Sequence, residues 1–269
     1  MKGNAVVSAV QHIRRMRGGA QAHLIRASDG KFYVTKFQNN PQHVRVLANE
    51  FLATNLGRVL GLPMPQVEPI EVCDWLITNT PELRIEMPDS SRPCSSGLQL
   101  ASRYAADPAQ EMAFDYLPEA MFPNTVNSEN FARVLVFDKW AGNCDGRQAI
   151  FTKRIHGRTY RVTFIDQGYC FNAGEWTFPD LPLLGVYGKN AVYSGVTGWD
   201  SFEPTLSRAE AFDYTDLWNL ASEIPEEWYR DDAEALSRLV ETLYKRRLLI
   251  RDLITSFRNS HRNPFPNWS

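Results

Sequence analysis

Asn143, Asp145, Arg147 and Gln148 fall within six residues of "WAGNCDGRQAIF" (140–151), with an apolar run on each side. Shortly after, "VTFIDQGYCF" (162–171) sets a lone acid, Asp166, among hydrophobic neighbours. The segment between them reads as a β-hairpin. A hairpin brings its two ends together, so both carboxylates can reach one spot. Two unpaired carboxylates at short range repel each other unless a cation lies between them. Magnesium bridged to phosphate oxygens is such a cation. The competing reading is that each acid caps a turn and neutralises a nearby arginine.

Three features upstream bear on that choice. The first is "RGGAQAHL", where Gly18, Gly19, Ala20 and Gln21 form a turn just ahead of a strand. Small residues there let backbone N–H groups approach a phosphate closely, although glycine turns are also common without that use. The second is Lys36 in "YVTKF". Strand alternation puts it on one face with Phe32 and Val34. An ammonium in an apolar strand needs a partner or a ligand, unless the strand is an edge and the head reaches water. The third is Glu50, in the apolar part of a helix ("LANEFLA"), which either pairs with Lys36 or faces solvent. Taken in order, a glycine turn, strand lysine, helix glutamate, acidic loop, hairpin and acid before glycine are the parts of a phosphoryl-transfer site. "NCDGR" then holds the residue that orients an attacking hydroxyl, and "IDQG" holds the metal acid. Each needs apolar support that fixes its position and keeps water out.

The elements that must supply this support can be read from pattern. "AQAHLIRASDGKFYVTKF" predicts a hairpin turning at Ser28-Asp29-Gly30. "NPQHVRVLANEFLATNLGRVLGLP" predicts a helix capped by Asn40, with Pro41 in its first turn and Gly61 and Pro63 ending it. "QVEPIEV", "DWLITN" and "ELRIEM" read as three short strands. "NSENFARVLVFDKWAGN" predicts a helix capped by Asn127 or Ser128, and "QAIFTKRIHGRTYRVTFID" a second hairpin turning at His156-Gly157. Residues 171–204 read as an irregular ordered region rich in glycine, proline and aromatics. Two helices follow, one opening with a Ser207-to-Glu210 capping box and one running through "DDAEALSRLVETLYKRRLLIRDLITSF". The expected fold class is α+β in two lobes. Residues 1–96 would form a small mixed β-sheet with one long helix, and residues 97–269 a mostly helical lobe containing the hairpin.

Composition narrows the partners. A chain of 269 residues that is 43% hydrophobic and 12% aromatic can bury a sizeable core. A net charge of −2 provides no global field for nucleic acid or an anionic membrane. The four cysteines form no CxxC pair, so neither a zinc site nor a disulfide framework is expected. With no apolar leader block and no run long enough to span a bilayer, the expected setting is the cytoplasm.

On the stretches "GGAQAHLIRASDGKFYVTKFQNNPQHVRVLANEFLATNLGRVLGLPMP" and "FDKWAGNCDGRQAIF…FIDQG" the sequence resembles the HipA-like kinases, bacterial relatives of the protein-kinase and phosphatidylinositol-kinase folds. It looks most like the compact HipA-like domain that stands alone. The resemblance implies an ATP- and magnesium-dependent kinase, with a protein serine or threonine as the default acceptor. It implies that Lys36 holds the α/β-phosphates and that Glu50 orients it. Asp145 would be the catalytic acid, and Asp166 would stand where kinases have the acid of their Asp-Phe-Gly motif. The family loop places an asparagine five residues after the catalytic aspartate, and that position here is Ile150. Gln148 is the nearby amide that would replace it as a metal ligand. The adenine would lie near "GLQLASRY". A DNA-binding antitoxin-like partner is compatible with the family, although no helix has the basic, base-reading face of a DNA-binding module. Two other functions stay open. One is a nucleotide-binding interaction protein with little catalysis, which Ile150 favours. The other is nucleotidyl transfer or small-molecule phosphorylation on the same fold.

Overall fold

The computed structural model describes residues 6–230 and 232–269. Residues 1–5, on which part of the leader reading rests, and Asp231, in the acidic opening of the last helix, lie outside the described residues.

A closed five-stranded barrel comes first, in the order β1 (Val7–Arg15), β2 (His23–Ala27), β3 (Phe32–Lys36), β7 (Gly97–Arg103) and β4 (Val67–Val72). Alternation does not announce β1, because Ala9 is its one buried residue. The β2–β3 hairpin turns where Gly30 has φ +81°, a left-handed conformation that glycine adopts freely. β3 pairs with β2 on one side and β7 on the other, so Lys36 lies on an interior strand, not an edge. The first sheet also runs past residue 96: β7 pairs with both β3 and β4, and the change of character near Gly97 marks one more barrel strand. Between β4 and β7, a two-stranded ribbon joins β5 (Arg84–Met87) to β6 (Ser90–Pro93).

Helix α1 (Arg45–Val59) starts later than its sequence signals suggest. The Asn40 side chain accepts from the Gln42 and His43 N–H groups, so it closes a turn ahead of the helix in place of capping it. "DWLITN", expected as a strand, is the one-turn helix α2 (Asp74–Thr78). A short apolar run of this kind carries too little periodicity to separate strand from helix.

The remainder is helical around a three-stranded sheet in the order β10 (Arg161–Ile165), β9 (Gln148–Arg154), β8 (Glu111–Phe114). The β9–β10 hairpin forms as expected, and β8 adds an unannounced third strand. Helix α3 (Asn130–Trp140) precedes the acidic loop. Asn127 does not cap it: its side chain exchanges two hydrogen bonds with Val162, tying the hairpin to the helix start. Helices α4 (Thr205–Glu210) and α5 (Tyr214–Ala221) follow the irregular region, with Asp213 capping α5. The Ser207 capping box does not form, because the Glu203 carboxylate takes the Ser207 N–H and hydroxyl. The single final helix of the sequence reading is two, α6 (Ala233–Arg246) and α7 (Ile250–Arg258).

One hydrophobic core joins Leu47, Phe51 and Leu56 of α1 to Leu135 and Phe137 of α3, Phe151 and Phe164 of the hairpin, and Val240 and Ile254 of the last helices. A smaller core fills the barrel around Ile25, Tyr33, Phe37 and Ile70. Since α1 belongs to the larger core, its polar residues are held at a set position relative to the hairpin. Among the described residues no helix is long and apolar enough to cross a membrane.

Candidate active site

Lys36 reaches the site because β3 alternation puts it on the face opposite Tyr33 and Phe37, which fill the barrel core. Its ammonium bonds the Glu50 carboxylate of α1 and lies 2.8 Å from Oδ1 of Asp166, the residue after β10. Lys36 is 7% exposed and Glu50 is 4% exposed. Burial alone would favour the neutral amine, but the Asp166 and Glu50 carboxylates outweigh it and hold Lys36 protonated above its ordinary range. Lys36 in turn draws the Asp166 carboxyl below the usual carboxylate range. Burial pushes Glu50 upward, with Lys36 opposing.

Backbone details hold this triad in place. Asp166 has φ +60°, a left-handed conformation that a non-glycine residue adopts at a cost of about 1–3 kcal/mol. Gly168 lies against the triad, where a Cβ would fall 3.6 Å from both Glu50 Oε2 and Lys36 Nζ and 2.5 Å from the Val46 side chain. Asn49, one residue before Glu50, donates to the carbonyls of Gly168 (2.9 Å) and Ala173 (2.6 Å) and accepts from Trp176 Nε1. Helix α1 is thereby pinned to the segment that follows Asp166.

The acidic loop is built on a residue that sequence reasoning passed over. Asp138, buried in α3, accepts from the Arg147 guanidinium and from Asn143 Nδ2 (2.9 Å). Arg147 therefore pairs with Asp138, not Asp145, although its charge also helps, after Lys36, to lower the Asp166 carboxyl. Arg147 Nη1 also donates to the Ile165 carbonyl at 2.9 Å, linking the loop to the strand that delivers Asp166. On the other side, Lys139 donates to the carbonyls of Pro182 and Leu184. The Asp145 carbonyl accepts from Gly185 N–H, and Arg147 N–H donates to the Val186 carbonyl. An acid among apolar helix neighbours in "VLVFDKW" was the sequence signal for Asp138. Its partner nine residues on was not.

A cavity of about 580 Å³ gathers most of the expected site residues. Gly18, Gly19, Ala20, Gln21, Lys36, Glu50, Gln148 and Asp166 line it. Asp145 is exposed and is not among the lining residues; its Oδ1 accepts from Gly146 N–H, and Gln148 Nε2 makes a long 3.4 Å contact with its Oδ2. The Gln21 side chain is already engaged, because it donates to the Glu86 carbonyl and accepts from the Glu86 N–H. Its backbone N–H donates to the Gly18 carbonyl at 3.1 Å and closes the turn. Val34, Leu100, Ile150 and Ile165 make an apolar portion of the lining. Ser102, Arg103 and Tyr104, from the stretch where adenine was expected, line it as well. An apolar pocket with a glycine turn, an ammonium and a carboxylate in its wall matches a ligand with a flat apolar head and an anionic tail.

A family model described as HipA-like kinase matches residues 9–156, more than half of the chain. The chain belongs to the HipA-like kinase family. No curated protein matches it in sequence. Solved structures similar to this HipA-like kinase include the Helicobacter pylori proinflammatory kinase CtkA, with a TM-score of 0.55 and 11% identity over 91% of this chain and 98% of that one. The Golgi casein kinase with Mn and ADP bound gives a TM-score of 0.50 and 11% identity, over 95% of this chain and 73% of that one. A Shewanella oneidensis MR-1 HipA, in complex with HipB and operator DNA, gives 0.50 and 10%, over 97% and 67%. At these identities the likeness concerns fold: this HipA-like kinase has a kinase-like fold of mixed α and β content.

Proposed function

We propose that this HipA-like kinase binds ATP in the 580 Å³ cavity and transfers its γ-phosphate to a hydroxyl, with a protein serine or threonine as acceptor. The observation that carries the reading is the buried Lys36–Glu50–Asp166 cluster at the cavity wall, assembled from a strand, a helix and a hairpin end. In this reading the adenine lies against Val34, Leu100, Ile150 and Ile165, and the phosphates lie under the Gly18–Gln21 turn. Lys36, held protonated and aimed by Glu50, binds the α/β-phosphates. The Asp166 carboxylate and the Gln148 amide oxygen would hold magnesium, which when bound offsets phosphate charge. Both residues line the cavity, and the Gln148 contact to Asp145 uses its Nε2, leaving Oε1 free. The Mn and ADP held by Golgi casein kinase support the use of a nucleotide with a divalent cation. Asp145, at the exposed edge, orients the acceptor hydroxyl and takes its proton. The HipB partner of the Shewanella protein suggests an antitoxin-like partner here, and the setting we propose is the cytoplasm, away from membranes. We also propose the division into two lobes, expected at residue 96, with its boundary moved to follow β7 because that strand pairs within the barrel.

Magnesium–ATP is expected to raise Tm by mass action, and Lys36→Ala is expected to lose most of that rise. Thermal denaturation at millimolar nucleotide checks this; no rise in the wild type would remove the reading. Incubation with labelled ATP, followed by mass spectrometry, then identifies what is added. A phosphate supports the kinase. An added AMP group would indicate nucleotidyl transfer. No transfer despite binding would indicate a catalytically weak interaction protein, a reading that one observation favours: Ile150 puts an apolar side chain in the cavity where the family loop has an amide.

Gln148→Ala is expected to raise the magnesium concentration for half-maximal rate while leaving Tm unchanged, because Gln148 is exposed. A lower Tm with an unchanged magnesium dependence would make it a tie between loop and hairpin instead.

A further inference from the structure

The charge balance of the cavity wall points to residues outside the conventional set. Lys36 contributes one positive charge, and Glu50 and Asp166 each contribute a negative one, so the cluster is net −1. That cluster by itself repels a polyphosphate, and the rest of the lining sets Arg14, Arg17 and Arg103 against Asp115. One magnesium ion corrects this only in part for a triphosphate. In protein kinases a second magnesium is held by the metal acid together with the loop asparagine. Here the asparagine position is Ile150, and the nearby amide, Gln148, is already assigned above to the single magnesium ion that it would share with Asp166.

Arg14 and Arg17 line the same cavity. Neither guanidinium has a partner among the described residues, whereas Arg15 between them is taken up by Gln21 and Glu86. Arg17 directly precedes Gly18, in the turn closed by the 2.8 Å hydrogen bond from Met16 N–H to the Ala22 carbonyl. Gly18 has φ +121° and open space where a Cβ would be. The turn thus sets Gly18 and Gly19 beside an exposed guanidinium that has no partner among the described residues. Guanidinium matches phosphate oxygens in a bidentate manner and is always charged.

We propose that Arg17, with Arg14 in the same cavity wall, binds the terminal phosphates of the nucleotide. It supplies the positive charge that a second metal ion would bring where the loop carries an amide in place of Ile150. This rests on the nucleotide-binding reading above.

Calorimetric titration of the full chain with AMP, ADP and ATP, each with and without magnesium, separates the two ideas. In the wild type, affinity is expected to rise from AMP to ATP. Arg17→Gln, an exposed substitution of similar length, is expected to lower ATP affinity roughly 10- to 100-fold, the loss of one charged contact. AMP affinity is expected to stay the same, and Arg17→Lys to recover part of the ATP affinity. An unchanged ATP affinity in Arg17→Gln, or an equal fall for AMP and ATP, would overturn the role of Arg17 while leaving nucleotide binding intact. A wild type that binds none of the three would overturn the nucleotide reading itself.

Discussion

Asp145→Asn is expected to bind magnesium–ATP nearly as the wild type does and to lose phosphoryl transfer by roughly 10²–10⁴-fold. The position of this residue sets it apart from the cavity. Asp145 is exposed and outside the cavity lining, and its Oδ1 accepts a local N–H from Gly146, a bond that asparagine can keep. What asparagine lacks is the second carboxylate oxygen and its charge, which would orient and deprotonate an acceptor hydroxyl. Asp166→Asn should behave differently. It removes a charge 2.8 Å from Lys36 in the cavity wall, so it should weaken magnesium-dependent nucleotide binding itself. Titration calorimetry and single-turnover transfer, run on both variants, check the division. Equal loss of binding in the two would contradict it.

Asp138→Ala is expected to be the most destabilising of the substitutions considered. Asp138 is 1% exposed and Arg147 is 4% exposed, and removing the acid leaves an uncompensated guanidinium in the core. Breaking such a pair from one side costs about 3–5 kcal/mol. For a chain of this size that corresponds to a Tm fall of the order of 10 °C. Asp138→Leu combined with Arg147→Met should recover much of the stability, since an apolar pair of similar volume avoids the desolvation cost. Transfer should not recover with it. The bonds from Asp138 to Asn143 and from Arg147 to the Ile165 carbonyl set the loop of Asp145 against the strand that delivers Asp166. Restored Tm with restored transfer would mean that the pair serves only to fill the core.

Much of the candidate site was legible because its residue types are locally anomalous. A lysine alternating with Phe32 and Val34, a glutamate in an apolar helix and an acid between Ile165 and Gln167 all conflict with their surroundings. Such conflicts persist only where a partner resolves them. The two hairpins were legible from turn residues and alternation, and α1 and α3 from their apolar runs. Short-range pattern was less reliable where several side chains compete for one backbone group. Asn40 closes a turn, Asn127 bonds Val162 across the hairpin, and Ser207 is claimed by Glu203.

The amino-acid sequence by itself marked the residues that could do chemistry: a glycine turn, the strand lysine Lys36 and two acids at the ends of a hairpin, with an apolar residue at the loop position of an amide. Only the tertiary structure decided which charges meet. Arg147 and Asp145 are two apart in sequence, yet Arg147 pairs with Asp138, and Lys36 meets Asp166 across 130 positions. Pairing of buried charges depends on which faces of α1, α3 and β3 turn toward the same enclosed volume. That is set by packing of the shared core, a non-local property that no window of sequence contains. Among the described residues the same packing left Arg14 and Arg17 without partners at the cavity, an unpaired charge that composition cannot reveal because it is a fact about neighbours.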